Sequence, residues 1–546
     1  MRLTSVLAAL AAALLSLTTA HSAEAQPTRE EAIRFLLQAS FGPTEPEIQA
    51  VQRLGYGGWI EQQFALPGQK ASSRLAAHEV AGANVRNIHY RDYFWDQAIY
   101  GRDQLRMRTL FALSQIVVVS VDEVKFIAPA YTNYVDLLHE ESFGNYGDLI
   151  RRVTMLPVMA DYLTYFRNRK ANPVTGQQPD ENYAREVMQL FTIGLEELAL
   201  DGTSLGDETY TSADVEGLAR VFTGFAMDGR SFRDGRLRKH NGGELLKGYP
   251  GVHEPGPKTF LGTTIPGGLA PEESVSRALD HLLAHRNVAP FISKLLIQKF
   301  VTSNPSPDYV RRVATVFNEG RYTMPSGTEV GDGKRGAMEP VLAAILLDRE
   351  ARDERVAQDP KYGKVREPVL RIAQVIRTIV DPNALPSVDG KLPHYRHLSR
   401  DNDVHNQTVF SPPSVFGFYR PGYVAAGTQT AEKGLVAPEM QVLTSDQIIG
   451  QARFYTILFR PKTIAYLDRD DARLMQLAQR PDTLVEALGE VLTPGGIDPE
   501  VRRRIEQAVG EIELRGRPEQ NRPRLLRRAL IATMMLSTTP EFVVQR

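Results

Sequence analysis

The sequence predicts a mainly α protein: a large multi-helix globular fold in two packed lobes, with a few short strands and long loops. Three observations support this prediction. Leu, Ala, Val and Phe recur at a spacing of three to four residues through most long segments. Strand patterns are few and short, and "KTFLGTTI" is one of them. Roughly 520 residues follow the N-terminal leader, which is more than a single core usually organises.

The first 25 residues have the composition of a secretory signal peptide. One Arg precedes an apolar run from Val6 to Leu17, and Ala23-Glu24-Ala25 fits the small-residue pattern of a cleavage site. The run is short for a membrane span, and no later segment offers about 20 apolar residues without charge. We therefore expect an exported protein, periplasmic or secreted, with no membrane span.

The amino-acid composition excludes several kinds of catalytic and metal site and one class of partner. The chain has no cysteine, so disulfides, thiolate catalysis and Cys-ligated zinc are excluded. Any metal must therefore be held by His, Asp, Glu or backbone oxygen. The net charge of -1 provides no basic surface on the scale that nucleic acid requires, so we expect no nucleic-acid partner. Composition leaves the oligomeric state open.

The helical elements begin at "TREEAIRFLLQAS", where Thr28 can cap the helix and Glu31 occupies the capping-box position. Gly42-Pro43 should end this segment. Further on, "QLRMRTLFALSQIVVVS" at residues 104–120 is apolar nearly all round after its first residues. A helix with this composition is buried, so the stretch predicts a central helix of the fold.

Other helices are predicted along the rest of the chain, at 133–140, 145–155, 181–193, 213–223, 272–284, 288–301, 307–318, 337–347, 365–379, 445–458, 482–492, 498–513 and 522–536. Long irregular stretches at 170–180, 228–270, 320–336 and 381–438 separate them, and such loops are usually functional or flexible. We place a lobe boundary within 320–365. The predicted division is a signal peptide at 1–25, an N-terminal helical lobe at 26–335 and a C-terminal helical lobe at 336–546.

The stretch "PDENYAREVMQLFTIGL" contains the first candidate residues. Helical geometry places Glu181, Arg185 and Glu186 on one polar side. One interpretation is a surface amphipathic helix with a weak Glu181–Arg185 pair. The other is a polar side that faces protein, lining a cleft or a buried network where carboxylates bind a cation or transfer protons. Ile193 within the polar side, and the long loop before the helix, favour the second.

Two further stretches contain polar candidates. In "TSADVEGLARVFTGFA", Asp214 fits a capping box with Thr211, although it could instead face Arg185 or a ligand. In "HEPGPKTFLG", His253 and Glu254 could act as a metal-ligand pair, or the segment could be a solvated loop. Lys258 follows in the same segment.

A third polar stretch, "HYRHLSRDNDVH", has a composition that suits a divalent metal, but its spacing matches no standard site. We interpret it as an exposed loop with little to bury.

Several stretches carry a family resemblance in combination: "RFLLQASFGPT", "LRMRTLFALSQIVVVS", "NRKANPVTGQQPDENYAREVMQLFTIGL", "DVEGLARVFTGFA", "HEPGPKTFLG", "HRNVAPFISKLLIQKFVTSNPSPDYV" and "PPSVFGFYRPGYV". Together they resemble the exported bacterial family called domain of unknown function eighteen hundred, from about residue 29 to the C-terminus. Matching positions include Glu181, Asn182, Arg185, Glu186, Thr192, Gly194, Asp214, Arg220, Thr223, Gly224, Lys258, Gly262, His285 and Asn287.

The resemblance implies a large, mainly helical exported protein with no established reaction. It also implies a companion, because family members are often encoded beside a protein similar to the alkaline phosphatase and sulfatase superfamily. Many members have a histidine-rich stretch where this chain has "LFALSQIVVVS", so a metal role in that stretch would not transfer. The acid after His253 is Glu254 here, where Asp is more usual.

Two functional hypotheses follow. The first is a hydrolase-like envelope enzyme, with or without a divalent metal, in which Glu181, Arg185, Glu186, Asp214 and Lys258 are the catalytic residues and His253 and Glu254 the metal ligands. The second is a non-catalytic binding or assembly partner of the phosphatase-like companion or of an envelope polymer, in which the same acids form structural ion pairs. An enzyme requires these side chains to converge in one pocket, whereas a scaffold would have them paired and sealed.

Export should remove the leader after Ala25, because the Ala-x-Ala pattern follows a basic start and an apolar run. N-terminal sequencing of protein from the envelope fraction should therefore begin at Gln26. Recovery of the full-length chain from the cytoplasm would contradict this prediction.

Overall fold

A computed structural model describes residues 26–80, 85–125, 129–227, 232, 243–383, 395, 398, 406–460 and 467–546. The predicted mainly α class is confirmed: helices dominate, and the strands form only short antiparallel pairs. The predicted signal peptide at 1–25 lies outside the described residues.

Helices of four to 21 residues make up most of the described chain. In chain order they are α1 Arg29–Ala39, α2 Glu45–Ala65, α3 Ala71–Val80, α4 Asn87–Tyr100, α5 Gln104–Ser114, α6 Ala130–Glu141, α7 Tyr146–Thr154, α8 Pro157–Tyr162, α9 Asn182–Gln189, α10 Ser212–Ala219, α11 Pro271–Ala284, α12 Val288–Phe300, α13 Pro307–Glu319, α14 Met338–Leu347, α15 Arg349–Arg352, α16 Glu354–Ala357, α17 Pro368–Ile379, α18 Gln429–Glu432, α19 Ser445–Leu458, α20 Asp471–Leu477, α21 Pro481–Leu492, α22 Pro499–Gly510, α23 Pro518–Leu536 and α24 Pro540–Val543. A short 3₁₀ helix covers Pro438–Gln441.

The described strands form two-stranded antiparallel pairs: β1 Glu196–Leu198 with β2 Ser204–Glu208, β3 Phe225–Ala226 with β4 Lys247–Gly248, β5 Lys258–Phe260 with β6 Thr263–Ile265, β7 Tyr322–Thr323 with β8 Glu329–Val330, and β9 Lys364–Val365 with β10 Val544–Gln545. The β5–β6 hairpin is the predicted "KTFLGTTI" strand segment. Its register pairs Lys258 with Ile265 and Phe260 with Thr263.

The first helix forms as its sequence predicts. The Glu31 carboxylate accepts a hydrogen bond from the Thr28 backbone at 2.7 Å, and the Thr28 hydroxyl accepts one from the Glu31 backbone at 3.2 Å. This capping box satisfies two amide groups that a helix start leaves free. Ile33 and Leu36 are buried on one face, and α1 ends before Gly42, whose φ of 128° suits glycine.

The predicted helix over 104–120 is too long. Helix α5 ends at Ser114, and Val117–Val119 continue as buried, non-helical chain. The Tyr134 hydroxyl donates to the Val117 carbonyl at 2.7 Å, and the Tyr131 hydroxyl donates to the Val119 carbonyl at 3.0 Å. Three successive β-branched residues disfavour a helix, and the tyrosines satisfy carbonyls that a helix would have bonded internally.

Most other predicted helices occur close to their predicted bounds, and α19 matches its prediction at both ends. Helices α2 and α4 were not predicted. Helix α2 contains a kink at Gly55, where φ is 73°. Helix α4 buries charged side chains, including Asp92 and Asp96, which hide its apolar periodicity.

The interpretation of 394–405 as a loop with little to bury is wrong for the two residues that the structure describes. Tyr395 and Leu398 are each only 1% exposed, and the Tyr395 hydroxyl donates to the Asp96 carboxylate at 3.3 Å. The histidines of this stretch lie outside the described residues.

One connected core extends from Ala32 to Phe542. Helices on either side of the predicted lobe boundary share it: α13 packs on α14, and α14 also contacts α1 and α2. The division at residue 335 therefore remains a prediction. Among the described residues, no helix combines the length and apolarity that crossing a membrane requires.

Helix α10 and the β5–β6 hairpin approach each other through Gly217. A Cβ at this position would lie 1.8 Å from the Thr259 carbonyl oxygen. This spacing is well below any atomic contact distance, so the two elements can pack only because residue 217 lacks a side chain.

Replacing Gly217 with Ala should lower the free energy of unfolding by roughly 1–3 kcal/mol, because α10 must move off the hairpin. Gly489→Ala is the matched control: Gly489 also lies within a helix, but its nearest contact would be Thr493 Oγ1 at 3.7 Å. That variant should gain up to about 1 kcal/mol from helix propensity. Chemical denaturation of both variants tests the close approach, and a neutral Gly217→Ala would refute it.

Candidate functional site

The first candidate pair, Glu181 and Arg185, lies at the surface. Their side chains are 42% and 43% exposed, and Arg185 Nη2 is 3.2 Å from Glu181 Oε2. An exposed pair of this kind contributes only a few tenths of a kcal/mol. Ile193, which suggested that the polar side faces protein, is buried but lies beyond the helix end at Gln189. The burial of Ile193 is therefore no evidence that the polar side of α9 faces protein. Glu181 and Arg185 form the exposed pair of the first interpretation.

Glu186 occupies a different environment on the same helix. Its side chain is buried, and its Oε2 atom has no hydrogen-bond partner within the described residues. Burial raises the pKa of this carboxyl, with Arg185 acting in the opposite direction. The Tyr162 hydroxyl likewise has no hydrogen-bond partner in the described chain, and burial together with the charges of Glu123 and Glu186 raises the pKa of Tyr162.

Asp214 has the structural role that its capping box predicts. Its Oδ2 accepts from the Thr211 backbone at 2.8 Å, while Oδ1 accepts from the Leu261 backbone at 2.6 Å. Although partial burial acts to raise it, these hydrogen bonds leave the pKa of Asp214 below its ordinary value. Asp214 therefore joins the start of α10 to the β5–β6 hairpin.

His253 and Glu254 follow β4 in the loop that leads to the hairpin. His253 is 2% exposed, with Nδ1 2.8 Å from the Thr223 carbonyl and Nε2 3.3 Å from Ser274 Oγ. Glu254 Oε1 accepts from the Gly256 backbone at 3.2 Å. Both imidazole nitrogens are thus engaged, and a metal would have to displace one of these bonds. Within the described ranges, no group of three or more His, Asp or Glu side chains is arranged to hold a metal.

Lys258 is fully buried on β5, and its Nζ has no hydrogen-bond partner in the described part of the chain. Burial lowers the pKa of this ammonium, while nearby Glu254 acts to raise it. Burial lowers the pKa of His253, and the charge of Lys258 lowers it further. The hairpin therefore brings His253, Glu254 and Lys258 into one electrostatic group.

The predicted residues thus form two groups, the α9 group of Glu181, Arg185 and Glu186 and the hairpin group of Asp214, His253, Glu254 and Lys258. No hydrogen bond or ion pair joins the two groups in the portion of the chain that is described. Four cavities of 210 to 520 Å³ open among the described residues, and none of these four is lined by a member of either group. The predicted convergence on one cleft is not apparent in these contacts.

A second constellation, absent from the sequence prediction, contains five ionisable side chains with at most 6% exposure. We call it the buried charge cluster. It comprises Arg108 of α5, Lys299 of α12, Lys364 of β9, Glu367 immediately before α17, and Glu439 of the 3₁₀ helix. The polar side chains of Gln115, Gln407 and Tyr419 complete it.

Ion pairs and charged hydrogen bonds hold the cluster together. Lys364 Nζ is 3.1 Å from Glu439 Oε1 and 3.8 Å from Glu367 Oε1. Glu367 Oε2 accepts from Gln115 at 3.0 Å and from Gln407 at 2.6 Å. Although burial acts to raise it, the neighbouring cations leave the pKa of Glu367 below its ordinary value.

Lys299 is the most perturbed base of the cluster. Its Nζ donates to Gln115 Oε1 at 2.9 Å and lies 4.0 Å from the centre of the Tyr419 ring. Burial lowers the pKa of Lys299 to about 8, with the nearby carboxylates of Glu367 and Glu439 limiting the fall. Such a group exchanges protons close to neutral pH.

Several polar atoms of the cluster remain without partners among the described residues. Arg108 donates from Nη2 to the Lys299 carbonyl at 2.6 Å, but its Nε and Nη1 make no hydrogen bond. Glu367 Oε1 accepts no hydrogen bond of normal geometry in the described chain and has only its ion pair with Lys364. Burial raises the pKa of the Tyr419 hydroxyl, and the nearby Glu367 carboxylate raises it further. Buried polar atoms are seldom left this way, so their concentration here marks the cluster as the strongest candidate site.

A sequence signal for the cluster exists, although it is weak. Arg108 and Lys299 each interrupt an apolar run, in "LRMRTLFALS" and "LLIQKFV". A charge inside a buried helix needs a partner, but nothing local identifies that partner. The partners are distant in sequence: 191 positions separate Arg108 from Lys299, and 252 positions separate Gln115 from Glu367.

Alanine variants should distinguish the exposed carboxylate of Glu181 from the helix-capping carboxylate of Asp214. Glu181→Ala should change the free energy of unfolding by less than about 0.5 kcal/mol, because it removes one exposed pair. Asp214→Ala should lower it by about 1–2 kcal/mol, because the helix cap and the tie to the hairpin are lost together. Chemical denaturation measures both, and an equal loss in the two variants would contradict the assignment.

A family model described as "Protein of unknown function (DUF1800)" matches residues 34–544. No curated protein and no solved structure matches the chain significantly. The family description carries no reaction, so the functional argument rests on the geometry above. Because the match spans nearly the whole sequence, the chain belongs to the DUF1800 family.

Proposed function

We propose that this protein is an exported, hydrolase-like enzyme whose functional site is the buried charge cluster, where a small oxyanionic group binds. The observation that carries the proposal is the pairing of Lys299, a buried base with a pKa of about 8, with Arg108, a buried arginine that keeps two unpartnered nitrogens. Strongly shifted pKa values and buried donors without partners concentrate at functional sites.

The ligand class follows from charge and hydrogen bonding. The cluster contains three basic and two acidic side chains, so an anion would balance it. Arg108 offers N–H donors at Nε and Nη1, and each of them can bind one oxygen of an anion. The Tyr419 hydroxyl can supply a further donor.

The cluster also contains the groups that hydrolysis of an ester requires. A water attacking the ester would lose one proton to Glu367 Oε1, the carboxylate oxygen that accepts no hydrogen bond from the described residues and lies 3.8 Å from Lys364 Nζ. Lys299 would donate one proton to the leaving oxygen as that bond breaks, and Arg108 would stabilise the charge on the oxyanion. The products are one acid and one alcohol, and proton transfer from Glu367 back to Lys299 restores the site.

Access to the site involves the segment 406–444, which we call the cover. The cover supplies Gln407, Tyr419 and Glu439 to the cluster, whereas the other members come from core helices and β9. Asn304 fastens the cover to the core through two hydrogen bonds with the Val436 backbone, both 2.9 Å long. Displacement of this segment would open the cluster to solvent, as in enzymes whose loops close over the substrate.

The second candidate function is a non-catalytic binding or assembly partner at the envelope, including the phosphatase-like companion expected from the family resemblance. The observation that favours it is the state of the predicted catalytic residues. Glu181 and Arg185 are paired at the surface, Asp214 caps a helix, and neither these residues nor the members of the buried charge cluster line any of the four cavities. Under this alternative the buried charge cluster is structural and binds no anion.

The cluster should bind inorganic phosphate more weakly as pH rises through about 8, the pKa of Lys299. Below that pH the ammonium is charged and attracts the anion, and above it the attraction is lost. Isothermal titration calorimetry from pH 6.5 to 9.5 measures the change. Lys299→Met should weaken binding at pH 7 by roughly 10-fold or more and remove the inflection.

Lys294→Met is the matched control, since Lys294 lies on the same helix but outside the cluster. Its phosphate affinity and its pH profile should match those of the wild type. Asn304→Ala, which loosens the cover, should raise the association rate without removing a cluster residue. Phosphate binding that is absent from the wild type, or unaffected by Lys299→Met, would favour the non-catalytic alternative.

A further inference from the structure

The largest of the four cavities, 520 Å³, lies between α1, α16 and residues 540–546. We call it the arginine cavity. Its walls include Arg34 of α1, Ala357 of α16, Arg366, Gln545 of β10 and the pair Gly495–Gly496. The volume falls within the range of cavities that bind small molecules.

Two arginines that line this cavity each have a side-chain nitrogen without a hydrogen-bond partner among the described residues. Arg366 is 3% exposed and donates only to backbone carbonyls, those of Phe542 and Leu370, while its Nε has no partner within the described residues. Burial lowers the pKa of Arg366 to about 9. Arg34 donates to the Arg352 carbonyl, and its Nε is also unpartnered. Neither guanidinium forms an ion pair with any described acid.

Acidic side chains of the same cavity lie nearer to solvent. Glu30, Glu354 and Glu541 line it and are exposed. None of the three forms an ion pair with a base in the described chain. A ligand that complements the charges of the cavity should therefore have a negatively charged end at Arg34 and Arg366 and a positively charged end at the exposed glutamates.

A second cavity of 470 Å³ adjoins the first, because both are lined by Glu30, Pro494, Gly495 and Gly496. The two glycines have φ values of 90° and 82°, and a Cβ on Gly496 would meet no atom within 4 Å. Backbone without side chains permits close approach by another main chain.

From these features we infer that the arginine cavity binds a short peptide, with the peptide's C-terminal carboxylate at Arg34 and Arg366 and its N-terminal ammonium toward the exposed glutamates. A guanidinium pair fits a carboxylate, and the glycine pair leaves room for the peptide backbone. This binding site shares no residue with the proposed oxyanion site, although the two adjoin: Arg366 precedes Glu367, and Gln545 pairs with Lys364 across β9 and β10.

Isothermal titration calorimetry of the full-length mature chain with tetra-alanine tests the inference. Tetra-alanine with a free carboxylate should bind, and its C-terminal amide should bind at least about 10-fold more weakly, because the charged hydrogen bonds to the arginines are lost. The N-acetylated peptide should lose less, because the glutamates at the mouth are exposed to water.

Three variants complete the experiment. Arg366→Met should remove the preference for the free carboxylate, but it also breaks two backbone contacts and could unfold the region. Ala357→Phe therefore fills the cavity without altering either arginine, and it should abolish binding while circular dichroism stays unchanged. Arg355→Met is the matched control, because Arg355 lies on the same helix at 89% exposure and does not line the cavity.

The inference is overturned if the wild type binds neither peptide, if it binds the acid and the amide equally, or if Ala357→Phe binds as the wild type does.

Discussion

The burial of five charged side chains at one point is the constraint on which the rest of this structure depends. An isolated buried charge is strongly unfavourable, and only an opposite charge with good hydrogen bonds offsets the loss of water. In the buried charge cluster those partners come from α5, α12, β9, the start of α17 and the cover. Each of these elements is therefore held in place by the charges of the others, and displacing one of them leaves a charge unpaired.

The same constraint explains why the two halves of the chain share one core. Arg108 and Lys299 lie in the predicted N-terminal lobe, whereas Lys364, Glu367 and Glu439 lie in the predicted C-terminal lobe. Helix α14 strengthens the connection by packing on α1, α2 and α13. A lobe boundary near residue 335 would have to pass between helices that are in contact. The glycine-rich stretch at 320–336, within the range given for the boundary, contains the β7–β8 hairpin between α13 and α14, and the boundary itself stays a prediction.

Local sequence predicted much of the fold and little of the site. Capping boxes and apolar periodicity identify helices such as α1, α10 and α19, because the interactions that start a helix lie within a few residues. Prediction failed where distant groups decide the outcome. Val117–Val119 are not helical because tyrosines of α6 bond their carbonyls. Of the predicted site residues, Asp214 has the capping role that its spacing indicated, whereas the burial of Glu186 and Lys258 could not be read from one segment.

Strand β9 has a consequence for the order in which the molecule can be assembled. It pairs with β10, so residues 364–365 are joined to residues 544–545. The Gln545 side chain also donates to the carbonyls of Phe300 and Val301, next to Lys299. A chain synthesised from its N-terminus therefore completes the surroundings of Lys299 only after residues 544–545 have been made. Until then the charges of the earlier helices lack these neighbours, so this part of the fold is among the last to form.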